Sequence, residues 1–192
     1  CSIIDPAVLV AQAFRARLGA LVITEHHYQW RPEDLEALAM GSGLSDFTLL
    51  SGFEYSSLRG DILVYGLNWG EAAAFPPGLA PEEAVRRVHE RGGACVAAHP
   101  TRAGMGFDGR ILTLPLEGIE VCSVNLTEHE RRQAVQLAGD AGFRPVAASD
   151  AHQLADVGRY TTDFTAPIRC MDDLVDCLKT GRFQLPGSEP AF

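Results

Sequence analysis

The sequence predicts an α/β fold, and three observations carry that expectation. Short apolar runs, Leu21-Val22-Ile23, Cys95-Val96-Ala97-Ala98 and Val146-Ala147-Ala148, have the length of buried strands. The segments between them carry helix punctuation, with a proline or a capping side chain at the start and a glycine at the end. Strands and helices therefore take turns along the chain without repeats or an internal linker, which favours a parallel barrel or an open α/β sheet over an all-β fold.

Each element has a local reason. Asp5-Pro6 sets an N-cap before a proline at the first helical position, and Val8, Leu9, Ala13, Phe14 and Leu18 form the apolar stripe of a helix ending at Gly19. A strand over 21–24 follows, then a helix from Pro32 to residue 39. Residues 48–54 read as one strand, 56–60 as a turn, and 61–67 as a strand of alternating character. Pro81-Glu82-Glu83 starts a helix through Arg91, its acidic residues suited to the positive end of the dipole, and Gly92-Gly93 stops it before a strand over 94–98. A Gly-rich loop over 101–115 leads to a strand over 118–124. Thr127-Glu128-His129-Glu130 matches a capping box, so a helix to Ala141 should feed a strand over 144–148 through Gly142. A last helix spans 171–180 and ends at Gly181, and the Pro- and Gly-rich stretch 185–192 reads as a flexible tail.

Composition bounds the function. At 192 residues, 46% of them hydrophobic, the chain suits a single domain over 1–192 with a core of its own. A net charge of -9 with 16 scattered Lys and Arg argues against extended nucleic-acid binding, which needs clustered cations. No apolar stretch approaches the roughly 20 residues that cross a bilayer, and no signal-peptide pattern opens the chain, so a cytoplasmic setting is expected. The five cysteines, Cys1, Cys95, Cys122, Cys170 and Cys177, are odd in number and form no Cys-x-x-Cys pair; they read as reduced core residues.

The apolar runs share a further property: each ends in ligand-type side chains. Thr24-Glu25-His26-His27, His99-Pro100 and Ser149-Asp150-Ala151-His152 would meet at one edge of the sheet if the strands are parallel neighbours, which is where α/β enzymes place their chemistry. With Glu54 and Asp150 as companions, His26, His99 and His152 read as metal ligands, whereas His27, His89 and His129 read as ordinary. Glu120, in Ile119-Glu120-Val121, faces either the interior or a strand edge. Trp30, Trp69, Tyr28 and Phe107 either line a substrate mouth or pack.

In order along the chain, Ile23-Thr24-Glu25-His26, Gly52-Phe53-Glu54, Gly60-Asp61-Ile62-Leu63-Val64-Tyr65-Gly66, Ala98-His99-Pro100, Gly118-Ile119-Glu120-Val121 and Ser149-Asp150-Ala151-His152 resemble the successive motifs of the PHP family, named for polymerase and histidinol phosphatase. The resemblance implies a distorted TIM-like (β/α)7 barrel whose strand ends hold two or three divalent metals, and a metal-dependent phosphoesterase activity. It implies that His26 and His152 bind the most exposed metal, that Glu54 bridges two metals, that His99 ligates one of them, and that Asp150 closes the innermost site. Asp61 stands where related sequences often carry histidine, and an aspartate still suits a hard cation. Glu25 replaces the usual aspartate before the motif histidine and is expected to orient a ligand, a role also open to Glu120. The family opens with a strand ending in His-x-His, and nothing before Leu21 resembles it.

The implied chemistry suits these residue types. Two neighbouring cations lower the pKa of bound water from 15.7 to ~7, so that hydroxide is available at neutral pH, and clamp both oxygens of an in-line displacement. Mixed imidazole and carboxylate donors suit Zn, Mn or Fe, with Mg possible at an oxygen-lined site. Arg102 and Arg159 are the candidates for binding the phosphate of a small phosphorylated metabolite or nucleotide. Two other readings stand beside the phosphoesterase. One is a catalytically reduced domain with a structural or regulatory role, favoured by Asp61, Glu25 and the missing His-x-His. The other is a barrel hydrolase for a non-phosphate bond, which a mouth lacking anion-binding arginines would favour. The loops 70–80 and 101–115 are expected to set the substrate.

Overall fold

The computed structural model describes residues 2–43 and 47–187. Among the described residues five α-helices, α1 (Pro6–Arg15), α2 (Pro32–Ser42), α3 (Pro81–Glu90), α4 (Glu128–Ala141) and α5 (Met171–Thr180), are set among nine strands. The strands are β1 (Ala20–Ile23), β2 (Thr48–Ser51), β3 (Phe53–Ser57), β4 (Gly60–Tyr65), β5 (Ala94–Ala97), β6 (Gly118–Cys122), β7 (Pro145–Ala147), β8 (Asp163–Phe164) and β9 (Phe183–Gln184). The helix starts obey their capping chemistry. The Asp5 side chain accepts from Ala7 and Val8 N–H groups, and Thr127 and Glu130 form a reciprocal capping box.

The main sheet has the order β3-β4-β5-β6-β7, with β5, β6 and β7 parallel and β4 antiparallel to both of its neighbours. Of the two expected arrangements, a parallel barrel and an open α/β sheet, the antiparallel β4 departs from the first. Only Leu58 and Arg59 separate β3 from β4, and so short a connection permits a hairpin but no crossover helix. The expected continuous strand over 48–54 divides at Gly52 into β2 and β3. A Cβ at Gly52 would sit 2.4 Å from the Val64 carbonyl oxygen, so only glycine lets the backbones come this close. β1 pairs in parallel with β2, and a parallel bridge from His26 to Glu54 carries that pairing on to β3. Among the described residues no strand joins β7 to β1, and closure into a barrel is not shown. The small β8–β9 pair, which sequence periodicity misses, is two residues per strand. Most of the expected tail lies outside the described residues, but Leu185 packs against the cluster around Ile119.

Both faces of the sheet are apolar. Leu63, Val96 and Val146 face one way, against Leu174 and Leu178 of α5, whereas Val64 and Cys95 face the other way, against Val85 and Val88 of α3. Ile119 and Val121 pack on Ala134 and Ala138 of α4. Lys179, at the end of α5, donates to the Gly92 carbonyl just before β5, so α5 covers the edge where β5 begins and leaves free the edge where it ends. The reversed direction of β4 puts its first residues, not its last, at that free edge.

Replacing Gly52 by Ala should cost about 1–3 kcal/mol of stability, because the new Cβ meets backbone and not a movable side chain. Urea unfolding of the two proteins measures this, and equal midpoints would contradict the close approach.

Candidate metal centre

The free edge collects the acidic and imidazole groups. Glu54 arrives on β3, Asp61 at the start of β4 and His99 just past β5, and the three residues are 6%, 5% and 3% exposed. One ligand-type atom from each of the three lies within 4.8 Å of the others. His99 Nε2 is 3.2 Å from Glu54 Oε1 and 3.8 Å from Asp61 Oδ2. The other oxygen of Glu54 faces His26 Nε2 at 3.6 Å, so this carboxylate stands between two imidazoles. Glu54 Oε1 and His99 Nδ1 are buried without a hydrogen-bond partner. Unpartnered donors and acceptors at such depth are costly, and a set of two carboxylates and one imidazole fits a divalent cation.

Backbone conformation directs these side chains. His99 has φ 27° and Asp150 φ 48°, in the left-handed region that non-glycine residues rarely adopt. At His99 the bend follows Ala98, whose side chain already faces the interior, and it lets the next residue face the interior too. Glu120, 2% exposed, secures the bend by accepting the His99 N–H at 2.8 Å. Burial pushes the Glu120 carboxyl up to about 8, against the downward pull of the His99 N–H. At His99, burial on its own would lower the imidazole, but the facing Glu54 carboxylate outweighs it and the pKa is raised.

Asp150 and His152 form a second group. His152 Nδ1 lies 3.7 Å from Asp150 Oδ1 and 3.1 Å from the Asp150 carbonyl oxygen. Asn125 holds Asp150 by donating to its carbonyl at 2.9 Å and to its carboxylate at 2.6 Å. Asn125 is a positioning group that the sequence reading misses. The signal was available, since it is an amide side chain in the loop just past strand β6, as His99 lies just past β5. Glu25 touches the centre through its main chain: its carbonyl accepts from the Glu54 N–H at 3.0 Å.

A cavity of about 1120 Å³ adjoins the centre. Glu25, Glu54, His99, Glu120, Asp150 and His152 give it a polar end, and Leu63, Val96, Leu174 and Leu178 an apolar floor. Trp30 lines it, whereas Tyr28, Trp69 and Phe107 do not. Neither phosphate-binding candidate faces the cavity. Arg159 pairs with Asp156 at 3.5 Å, and Arg102 lies beside Glu130, whose carboxylate its charge helps hold down after the Ala103 and Thr127 hydrogen bonds. Among the described residues Arg17 and Arg169 are the arginines in the lining. No helix among them is long and apolar enough to cross a membrane.

An α/β sheet with a buried carboxylate–imidazole cluster at one edge is thus the class this chain belongs to, and comparison narrows it. Residues 128–183, from α4 through β9, match the family described as PHP-associated. PsfC from Pseudomonas syringae shares the fold at a TM-score of 0.70, with 21% identity, over 91% of this chain and 82% of that one. A protein from Bifidobacterium adolescentis, assigned as a metal-dependent phosphoesterase, superposes at 0.63 with 16% identity over 92% of both chains. A lesion-specific endonuclease from Pyrococcus furiosus superposes at 0.64 with 11% identity, over 93% of this chain and 52% of its own. The family match and the shared fold support a PHP-family domain.

The Glu120 shift has a sign that can be checked on metal-stripped protein. Its folded-state value, about 8, lies above the ordinary 4.5, so the stability it contributes is fully present below pH 4.5 and is lost as pH rises towards 8. Glu120→Gln keeps an acceptor for the His99 N–H and removes the titration. Urea midpoints across this pH range should slope downward in the parent and flatten in the variant, and parallel slopes would show that Glu120 ionises normally.

Proposed function

We propose that this chain is a metal-dependent hydrolase of phosphate esters, acting on a small phosphorylated metabolite or nucleotide. The observation that carries the reading is the buried Glu54, Asp61 and His99 group, with His26 on the far oxygen of Glu54. In this reading Glu54, Asp61, His99, His26, His152 and Asp150 would together hold two or three divalent ions (Zn, Mn or Fe, with Mg possible), with Glu54 the shared ligand, His99 and Asp61 beside it, His26 and His152 on the outer side and Asp150 on the inner. The ions, when bound, supply an activated water and offset charge on the phosphate and leaving oxygens. This chain's own residues set the geometry: Glu120 fixes His99, Asn125 fixes Asp150, and the Glu25 carbonyl fixes Glu54. Arg102 and Arg159 are proposed to reach the phosphate once substrate enters.

The same reading takes the chain as one PHP-like domain over 1–192 and the sheet as part of a distorted seven-unit barrel. β1 pairs with β2 and β7 with β6, each leaving one edge without a strand partner among the described residues, and both strands line the cavity. A strand ending in His-x-His would have its place along those edges. A cytoplasmic setting belongs to the proposal, supported by the free thiols of Cys95, Cys122, Cys170 and Cys177. One observation favours a second reading, hydrolysis of a non-phosphate bond: Arg102 and Arg159 both lie outside the cavity lining.

Elemental mass spectrometry of the purified chain should find two or more equivalents of Zn, Mn or Fe. The protein should hydrolyse p-nitrophenyl phosphate in a reaction that chelator stops. His99→Ala should lower that rate at least about 100-fold while the circular dichroism spectrum stays unchanged, because a direct ligand matters more than its supports. Full turnover in the variant would exclude the site, and turnover of amide but not phosphate substrates would favour the second reading.

A further inference from the structure

The left-handed bend at His99 has to be held from both sides. Glu120 holds the His99 N–H. On the other side His99 enters a tight loop, in which Arg102 N–H donates to the His99 carbonyl at 3.0 Å and Phe107 N–H to the Pro100 carbonyl at 2.9 Å. Gly106 completes it, since a Cβ there would lie 2.3 Å from the Pro100 carbonyl oxygen. Glu130, in the first turn of α4 and 9% exposed, anchors this loop from outside. Its Oε1 accepts the Ala103 N–H at 2.7 Å, and its Oε2 accepts the N–H and hydroxyl of Thr127, both at 2.7 Å. A capping box needs only the second of these oxygens. The first is spent on a different loop.

We propose that Glu130 is a positioning residue for the metal centre: by gripping Ala103 it holds the 99–106 loop, and through that loop the strained His99 backbone that aims the imidazole at Glu54 and Asp61. The proposal rests on the metal-centre reading above. A strained backbone persists where its surroundings over-determine it, and Glu130 with Glu120 supplies that determination from two elements, α4 and β6. Thr101, whose hydroxyl donates to the Glu130 carbonyl at 2.7 Å, fastens the loop to the same turn of α4.

Two variants separate loop anchoring from helix capping. Glu130→Gln offers one carbonyl oxygen, so either Ala103 or Thr127 N–H must face an amide NH2 group. Thr127→Ala weakens the cap and leaves the Ala103 bond in place. Cobalt(II) titration followed by its visible absorption reads the ligand set, and amide hydrogen exchange reads Ala103. In Glu130→Gln, cobalt affinity should fall about tenfold or more, as for other residues that orient ligands, with altered absorption bands and faster Ala103 exchange. Thr127→Ala should match the parent in both. Equal effects in the two variants, or none in Glu130→Gln, would overturn the proposal. If the parent binds no cobalt, the metal-centre reading itself fails, and Ala103 exchange alone decides whether Glu130 anchors the loop. Should Glu130→Gln not fold, Glu130→Asp, one methylene short of Ala103, takes the same test.

Discussion

Glu54 is the group on which the arrangement of this fold turns. A carboxylate held 6% exposed must be met by positive charge or hydrogen bonds, or its burial costs several kcal/mol. Both of its oxygens face imidazoles, His99 on one side and His26 on the other, yet Oε1 has no hydrogen bond. Asp61 adds a second buried carboxylate, and Asp150 stands near enough to act on His99 and Glu120. The interior therefore gathers several carboxyl groups around His99, a donor set that suits a divalent cation. A divalent cation is the economical remedy, and the whole edge of the sheet is shaped so that one can be reached.

The shape follows from how strands deliver side chains. Parallel strands bring only their last residues to a common edge. The β3–β4 hairpin adds the first residues of β4, so Asp61, paired with Ser56 two residues along from the Glu54–Leu63 pair, joins Glu54 and His99 from the opposite chain direction. Strand alternation puts Ala98 inward and would turn His99 outward, and the left-handed bend at His99 resolves that conflict. Such bends are strained, which is why a buried carboxylate, Glu120, sits on the N–H of that residue and a network of loop hydrogen bonds sits on its carbonyl side. Asp150 repeats the solution after β7, with Asn125 in the supporting role.

These details explain which parts were legible in the sequence. Helix starts were readable because Asp5, Pro81 and Thr127 act on their own neighbours, and α1, α3 and α4 begin where that local chemistry places them, whereas α1 stops at Arg15 and not at the expected Gly19. His99 and Glu54 were readable as partners because each ends or opens an apolar run. Strand direction was not readable, since β4 has the same alternation whether it runs up or down. The break at Gly52 depends on the Val64 carbonyl across the sheet, and no pattern within 48–54 signals it. The side chains of Arg102 and Arg159 were read from loop position alone; their carboxylate neighbours, Glu130 and Asp156, became visible only in three dimensions.

The apolar floor beneath the centre settles how four carboxyl groups can share so small a volume. Leu63, Val96, Leu174 and Leu178 make the interior side apolar, so charges there interact more strongly than at the surface. That strengthens the attraction of Glu54 and Asp61 for a cation, and by the same physics it penalises any further anion. Glu120 answers the penalty by staying protonated to about pH 8, leaving it neutral while it accepts the His99 N–H. A second ionised carboxylate at that position would compete with Glu54 for His99. Held neutral in the metal-free protein, it orients His99 without adding to the charge around Glu54.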